Sequence, residues 1–270
     1  MRTGEIPPHT GPTGADNGEV TVPVTAPPLR RPVIFDQLWC DLTFLHWPVD
    51  PEQVAPFFPA GTRPDVFEGR TYVGLVPFRM RRAGPGPRWP IPYFGSFLEV
   101  NVRLYSVDEQ DRHGVVFRSL DADRLAVVAA ARWGMRVPYV WSEIHADEYR
   151  PVASEKFPVL DQGTVRHYGV RRRFPGPGPR SDILVTIGPP VQPTALEVFL
   201  TARWGMHSAF AGSGFWTPNE HGPWPLHEAS LKRLDDTLVS AAGVHPTGNP
   251  LRPLWSPGVH ARFGRPVRVG

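Results

Sequence analysis

The sequence predicts an antiparallel-rich α+β fold with a few short helices. Three observations carry that expectation. Short apolar runs separated by turn residues recur along most of the 270 residues. Helix-start signatures open only brief segments. Strands do not alternate with long helices, as a doubly wound parallel sheet requires.

Residues 1–31 are rich in Pro, Gly and Thr and poor in apolar side chains, so the chain is expected to start as a disordered leader. Apolar residues then become dense, and Leu38 to His46 is expected to form a buried strand. Asp50-Pro51-Glu52-Gln53 supplies an N-cap, a proline at the first helical position and a glutamine at the capping-box position. The short helix it opens ends by Pro59. Arg63 to Phe67 and Arg70 to Met80 read as strands joined at the turn dipeptide Glu68-Gly69.

Phe97 to Tyr105, FLEVNVRLY, has the clearest period in the chain. Leu98, Val100, Val102 and Leu104 alternate with Phe97, Glu99, Asn101, Arg103 and Tyr105. Strict period-two alternation means a strand with one dry face and one functionalised face. After the polar loop SVDEQDRH, Gly114 to Leu120 returns as its hairpin partner.

Asp121 to Arg124 opens a helix through LAVVAAARW, and Val137 to Ile144 forms a further strand. Strands at Val165 to Phe174 and Ser181 to Ile187 flank a Pro-Gly loop. Thr194-Ala195-Leu196-Glu197 is a capping-box pattern that opens a helix to about Arg203. Phe210 to Leu234 is strand-like, Gly243 caps a short helix near Leu238, and the remainder is a Pro- and Gly-rich tail. The pentapeptide ARWGM ends both longer predicted helices, at Ala131–Met135 and Ala202–Met206; five residues are too few to establish a duplication.

Composition bounds the function classes. No apolar run approaches the roughly 20 residues of a spanning helix, so no membrane partner is expected. The amino terminus carries no secretory signal, which makes a cytoplasmic address the default. The net charge is only +3, and Lys156 and Lys232 are the only lysines. The arginine clusters at 79–82 and 171–173 form no continuous basic stripe with stacking aromatics, so no nucleic-acid partner is expected. Cys40, the lone cysteine, reads as a buried small hydrophobe. His46, His207, His221 and His227 match no zinc spacing, and no phosphate loop or nucleophile elbow is present. No metal or cofactor is therefore expected.

Taken in order, FLHWPVDPEQVAPFFPAGTRPDVFEGRTYVGLVPFRM, FGSFLEVNVRLY, GVVFRSLDADR, ARWGMRVPYVW and HGPWPLHEA followed by AAG resemble the YqjF-like family of uncharacterised bacterial proteins, within the acetoacetate decarboxylase-like superfamily. The resemblance spans roughly Phe35 to Pro257. It implies one domain over 32–257, with 258–270 as a tail, folded as a largely antiparallel, cone-shaped β-barrel around a cavity. The polar face of the Phe97 strand would then line that cavity, with Glu99 at the position where the decarboxylases carry an acidic residue.

Those enzymes read Gly-Arg-Glu, three residues, then Pro-Lys-Lys. Here Arg132 and Pro138 match, while Tyr139 and Val140 replace the lysines. Tyrosine has no amine to condense with a carbonyl, so Schiff-base chemistry is not expected.

Candidate catalytic residues are Glu99, as acid or base, and Tyr139, as a proton or hydrogen-bond donor; an aromatic plug in the space vacated by lysine is an equal reading of Tyr139. Arg103 or Arg132 would orient an anion, with Asn101 beside them and His46 as a ligand contact, for which a satisfied core histidine is the bland alternative. For Glu99 and Arg103 the bland alternative is a solvent-facing strand. The resulting expectation is a cofactor-independent enzyme acting on a small carbonyl or carboxylate metabolite, lyase-like or isomerase-like without a Schiff base. A non-catalytic small-molecule-binding or assembly protein on the same barrel is the alternative. The sequence allows, without requiring, a homo-oligomer.

Overall fold

The computed structural model describes residues 22–86, 89–134, 137–147, 157, 162–173 and 178–270. In chain order the elements are β1 (Phe35–Val49), α1 (Pro51–Val54) with a 3-10 turn at Ala55–Phe57, β2 (Thr62–Pro64), β3 (Thr71–Pro85), β4 (Phe97–Asp108), β5 (His113–Ala122), α2 (Leu125–Gly134), β6 (Tyr139–Ala146), β7 (Val165–Arg172), β8 (Arg180–Pro190), α3 (Ala195–Thr201), β9 (Gly205–Phe210), β10 (Ser213–Glu220), β11 (His227–Asp236), α4 (Leu238–Ala241), β12 (Leu254–Phe263) and β13 (Val267–Arg268). The α+β expectation holds: the fold is mostly strand, and its helices are short.

Local signals explain the helices. Asp50 accepts a hydrogen bond from the Glu52 amide at 2.9 Å and caps α1. The Thr194–Glu197 capping box is complete at α3, each side chain accepting from the other residue's amide. At Glu68-Gly69 both residues have positive φ, 49° and 77°, closing a tight turn bridged by Phe67 and Arg70. β2 nevertheless pairs with β4 rather than β3.

Among the described residues these strands form one 13-stranded sheet, and two extra pairings make it ring-like. β4–β5 pairing closes a circuit through β5, β6, β7, β8, β11, β12, β1, β3 and β4. β10–β12 pairing closes a second, smaller circuit through β12, β1, β3, β4, β5, β9 and β10. Most neighbours are antiparallel. The exceptions involve β5, which pairs in parallel with β6 after the α2 crossover and with β9 at Val115–Met206.

The two circuits have different interiors. The larger one holds an apolar core drawn from β1, β3, β4, β6, β7, β8, β11 and β12, with Leu45, Leu75, Val102, Ile183 and Val185 fully buried. The smaller one encloses a cavity of about 490 Å³ lined by side chains from all seven of its strands. β12, β1, β3, β4 and β5 belong to both circuits, and β1, β3 and β4 supply residues to the core as well as to the cavity wall.

Two expected boundaries shift. Within the leader expected at 1–31, residues 22–31 meet the sheet: Val22 is buried, and Trp204 Nε1 donates to the Pro23 carbonyl at 2.8 Å. Residues 1–21 lie outside the described residues. The tail expected from 258 is also structured. β12 runs through Pro257 and Gly258, and β13 adds an edge strand to β10.

β1 changes parity midway. Phe35, Gln37 and Trp39 face the cavity, but so does Leu42. The switch is a bulge between Cys40 and Leu45 in which Asp41 takes φ 56°. The Asp41 carboxylate, 1% exposed, is held by Arg166, Tyr168 Oη at 3.1 Å and Trp255 Nε1 at 2.9 Å. Beside it Cys40 is fully buried, and burial pushes its thiol up to about 12, which fits an inert core residue.

Removing one partner of a buried ion pair leaves the other charge uncompensated. Arg166→Met should therefore lower the unfolding free energy by about 3–5 kcal/mol in urea denaturation. A loss below about 1 kcal/mol would mean that Tyr168 and Trp255 satisfy Asp41 without the arginine.

Candidate functional site

The β4 alternation divides as its period requires. Val100, Val102 and Leu104 enter the apolar core, with Leu98 packed against it. Glu99, Asn101 and Arg103 line the cavity, so their face is a cavity wall and not an open surface. Register sets their neighbours: on the same face of β3, Phe78 stands opposite Glu99 and Val76 opposite Asn101.

Glu99 is 2% exposed and accepts a hydrogen bond from Tyr139 Oη at 2.7 Å. Tyr139 is delivered by the first residue of β6, which lies beside Leu120 through the parallel β5–β6 pairing. Burial pushes the Glu99 carboxyl up to about 7, against the lowering effect of hydrogen bonds from Tyr139 and Asn101. The buried Tyr139 phenol is raised by desolvation and by the Glu99 charge, and so remains a donor. A carboxyl that exchanges its proton near neutrality beside a fixed phenol donor is suited to general acid–base chemistry.

A second polar group lies around Tyr105. Half-buried Arg103 donates from Nε to Tyr105 Oη and from Nη2 to the Leu200 carbonyl, both at 3.3 Å. Tyr105 Oη in turn lies 2.6 Å from His46 Nε2. Burial and the charges of Arg103 and Arg203 hold His46 well below its usual range, so its ring is neutral. This cluster depends on Gly74. His46, Gly74 and Arg103 are aligned on three adjacent strands, and a Cβ at Gly74 would sit 3.1 Å from His46 Cδ2 and 3.2 Å from Tyr105 Oη.

Arg203 supplies the other cation. It is 4% exposed, donates from Nε to the Phe199 carbonyl at 2.6 Å, pairs with Asp65 through Nη1, and lies over the Phe199 and Tyr105 rings at 4.1 and 4.9 Å. Asp65 also bonds His113 Nδ1 at 2.7 Å. Arg203 lines the cavity, and its buried Nη2 has no partner. Asn101 Oδ1 and Asn219 Oδ1, also on the cavity wall, are likewise buried without partners. Three residues of one cavity wall thus carry polar atoms without a protein partner, which makes that wall the candidate ligand site.

Comparison with known proteins identifies the family. The DUF2071 family, described as an uncharacterized conserved protein, matches residues 36–260. The chain belongs to this family. The uncharacterized protein YqjF of Bacillus subtilis (strain 168) is 25% identical over 221 residues, spanning 81% of this chain and 86% of YqjF.

Among solved structures, the enduracididine biosynthesis enzyme MppR complexed with pyruvate superposes with a TM-score of 0.62 at 14% identity, over 90% of this chain and 92% of that one. An acetoacetate decarboxylase-like enzyme from Sphingomonas wittichii RW1 gives 0.59 at 14% identity, over 88% and 94%. The acetoacetate decarboxylase of Legionella pneumophila gives 0.57 at 12% identity, over 97% and 98%. Identities this low establish a shared fold.

For this family member, the structure brings together four of the six residues expected at the site: Glu99, Tyr139, Asn101 and Arg103 all line the cavity. His46 does not. It sits behind Tyr105, stacked on Phe44, as a satisfied core histidine that positions Arg103 indirectly. Arg132 lies on α2, with its side chain outside the described residues.

The missed residues are Arg203, Asn219 and His221. Arg203 was within reach, because it occupies in the second ARWGM copy the place that Arg132 occupies in the first. His221 packs against Trp39, Trp204 and Trp224, and its Nδ1 is 2.7 Å from the Gly222 carbonyl. Burial holds it down to about 4. No group of three or more His, Cys, Asp and Glu residues arranged to hold a metal occurs among the described residues. Nor is there a lysine among the described residues of the cavity wall; Lys232 borders a separate cleft beside β11, and Lys156 lies outside the described residues.

Glu99 sets a pH dependence with a definite sign. Its folded pKa of about 7 lies above the ordinary 4.5. Its contribution to stability is therefore complete below about pH 4.5 and is lost as pH rises through 7. Glu99→Gln should gain roughly 3 kcal/mol relative to wild type between pH 4.5 and 8.5, read from paired denaturation curves. Parallel pH profiles for the two proteins would contradict the raised pKa.

Proposed function

We propose that the protein is a cofactor-independent acid–base enzyme acting on a carbonyl-bearing carboxylate. The observation that carries this reading is the buried Glu99–Tyr139 pair on the wall of a cavity that also presents Arg103 and Arg203. The ring-like sheet is read as the cone-shaped barrel of the decarboxylases, and the likeness to MppR solved with pyruvate supports a small organic acid as the type of ligand. Tyr139 at the Pro-Lys-Lys position leaves Glu99 as the proton-transfer group, without an amine step.

In the proposed reaction Arg103 and Arg203 hold the substrate carboxylate through charge-assisted hydrogen bonds. Ionised Glu99 removes a proton from the carbon next to the substrate carbonyl. The C–H electron pair moves into the C–C bond as the carbonyl becomes an enolate, and the proton rests on Glu99. Its return to either end of the enolate system gives exchange or isomerisation. Tyr139 and Asn101 fix the carboxyl, and the low-dielectric wall keeps its pKa near the operating pH.

Proton NMR in deuterated buffer tests the step with a panel of short and long oxo acids. The protein should accelerate loss of the signal next to the carbonyl, and Glu99→Gln should slow it by about 100-fold or more. Oxo acids that bind but exchange no faster than in buffer would overturn the enzymatic reading in favour of a binding protein.

A further inference from the structure

The cavity holds its two charge clusters apart. Glu99 and Arg103 share one face of β4 four residues apart, a Cα separation of about 13 Å in an extended strand. Arg103 is drawn away toward Tyr105 and Leu200, and Arg203 gathers on the same Tyr105 ring. The charged and hydrogen-bonding groups acting on Glu99 are Tyr139, Asn101 and Asp121, none of them a cation. A carboxylate held by both arginines therefore lies several bonds from a carbon within reach of Glu99.

The wall between the clusters is mostly apolar. Val76 and Phe78 of β3, Phe117 and Leu120 of β5, and Met206 of β9 line the same cavity, whose volume of about 490 Å³ lies in the range of drug-sized ligands. A three-carbon keto acid would leave most of this wall uncovered. The partnerless buried atoms, Arg203 Nη2, Asn101 Oδ1 and Asn219 Oδ1, place polar demand around the cavity, while the surface between asks for hydrocarbon.

We infer that the site takes an amphipathic organic acid of medium length: its carboxylate lies between Arg103 and Arg203, an apolar spacer crosses the Phe78–Phe117 region, and its carbonyl reaches Glu99. The substrate class is thus a medium-chain or aryl-bearing acid with the carbonyl remote from the carboxylate. This assignment rests on the acid–base reading for the carbonyl end alone; the carboxylate and spacer follow from the cavity itself.

Calorimetric titration of the full chain with acetate, butanoate, hexanoate, octanoate and decanoate separates the two. Affinity should rise about fourfold per methylene until the cavity is full. Decanol should bind at least tenfold more weakly than decanoate. Arg103→Met should reduce decanoate affinity at least tenfold.

Because Arg203→Met frees the Asp65 carboxylate and is expected to unfold, the chain-length series on the unaltered protein stands as the primary readout. Acetate binding as tightly as octanoate, or decanol as tightly as decanoate, would overturn the inference. Length-dependent binding without proton exchange would keep it and defeat only the acid–base reading. Conversely, exchange of pyruvate that is faster than exchange of remote oxo acids would defeat the spacer assignment while leaving Glu99 its role.

Discussion

The candidate site depends on β4 being buried on both faces. A strand has two sides, and here each belongs to a different closed circuit of the same sheet: Val100, Val102 and Leu104 to the dry core, Glu99, Asn101 and Arg103 to the cavity. Period-two geometry then ties the two together. A one-residue slip of register would drive Glu99 and Arg103 into the apolar core and turn the valines toward the cavity. The apolar face therefore fixes the chemistry of the other face.

Burying charge on such a wall is costly, and the chain meets that cost in three ways. Asp41 and Arg166 pair where β1 bulges, and Tyr168 and Trp255 complete the hydrogen bonding. Arg203 is matched to Asp65, which His113 also supports. Glu99 has no counter-ion among the described residues, only the Tyr139 and Asn101 donors, and its carboxyl rises to about 7. The first two solutions keep both partners of the pair charged. The third leaves a proton free to move.

The sequence was most legible where structure is local. The Phe97 strand, its hairpin partner and the capping box at Thr194 rest on neighbouring residues and appear close to where they were read, whereas Asp121 and Ala122, read as a helix start, continue β5, and α2 begins at Leu125. Less legible were features set by distant partners. The bulge at Asp41 depends on Arg166 and Trp255, 125 and 214 residues away in sequence. β12 was hidden by its Pro257-Gly258 interruption, although Gly258 pairs with Cys40 beside that bulge. His46 matched a ligand-contact position in sequence, yet the absence of a side chain at Gly74 lets it reach Tyr105 from two strands away. Arg203 was obscured because only the first of the two ARWGM copies aligned with the decarboxylase pattern, whereas the cavity takes its arginine from the second.

Burial, with no counter-ion among the described residues, poises the Glu99 carboxyl near neutrality. Carbon-13 NMR of protein labelled at glutamate side-chain carboxyls, assigned by comparison with Glu99→Gln, observes that group directly. A Glu99 carboxyl resonance that inflects near pH 7, well above the ordinary value of 4.5, is the result predicted. A resonance that inflects at the ordinary value would contradict the account, because a solvated carboxylate on that strand would make β4 a plain polar surface.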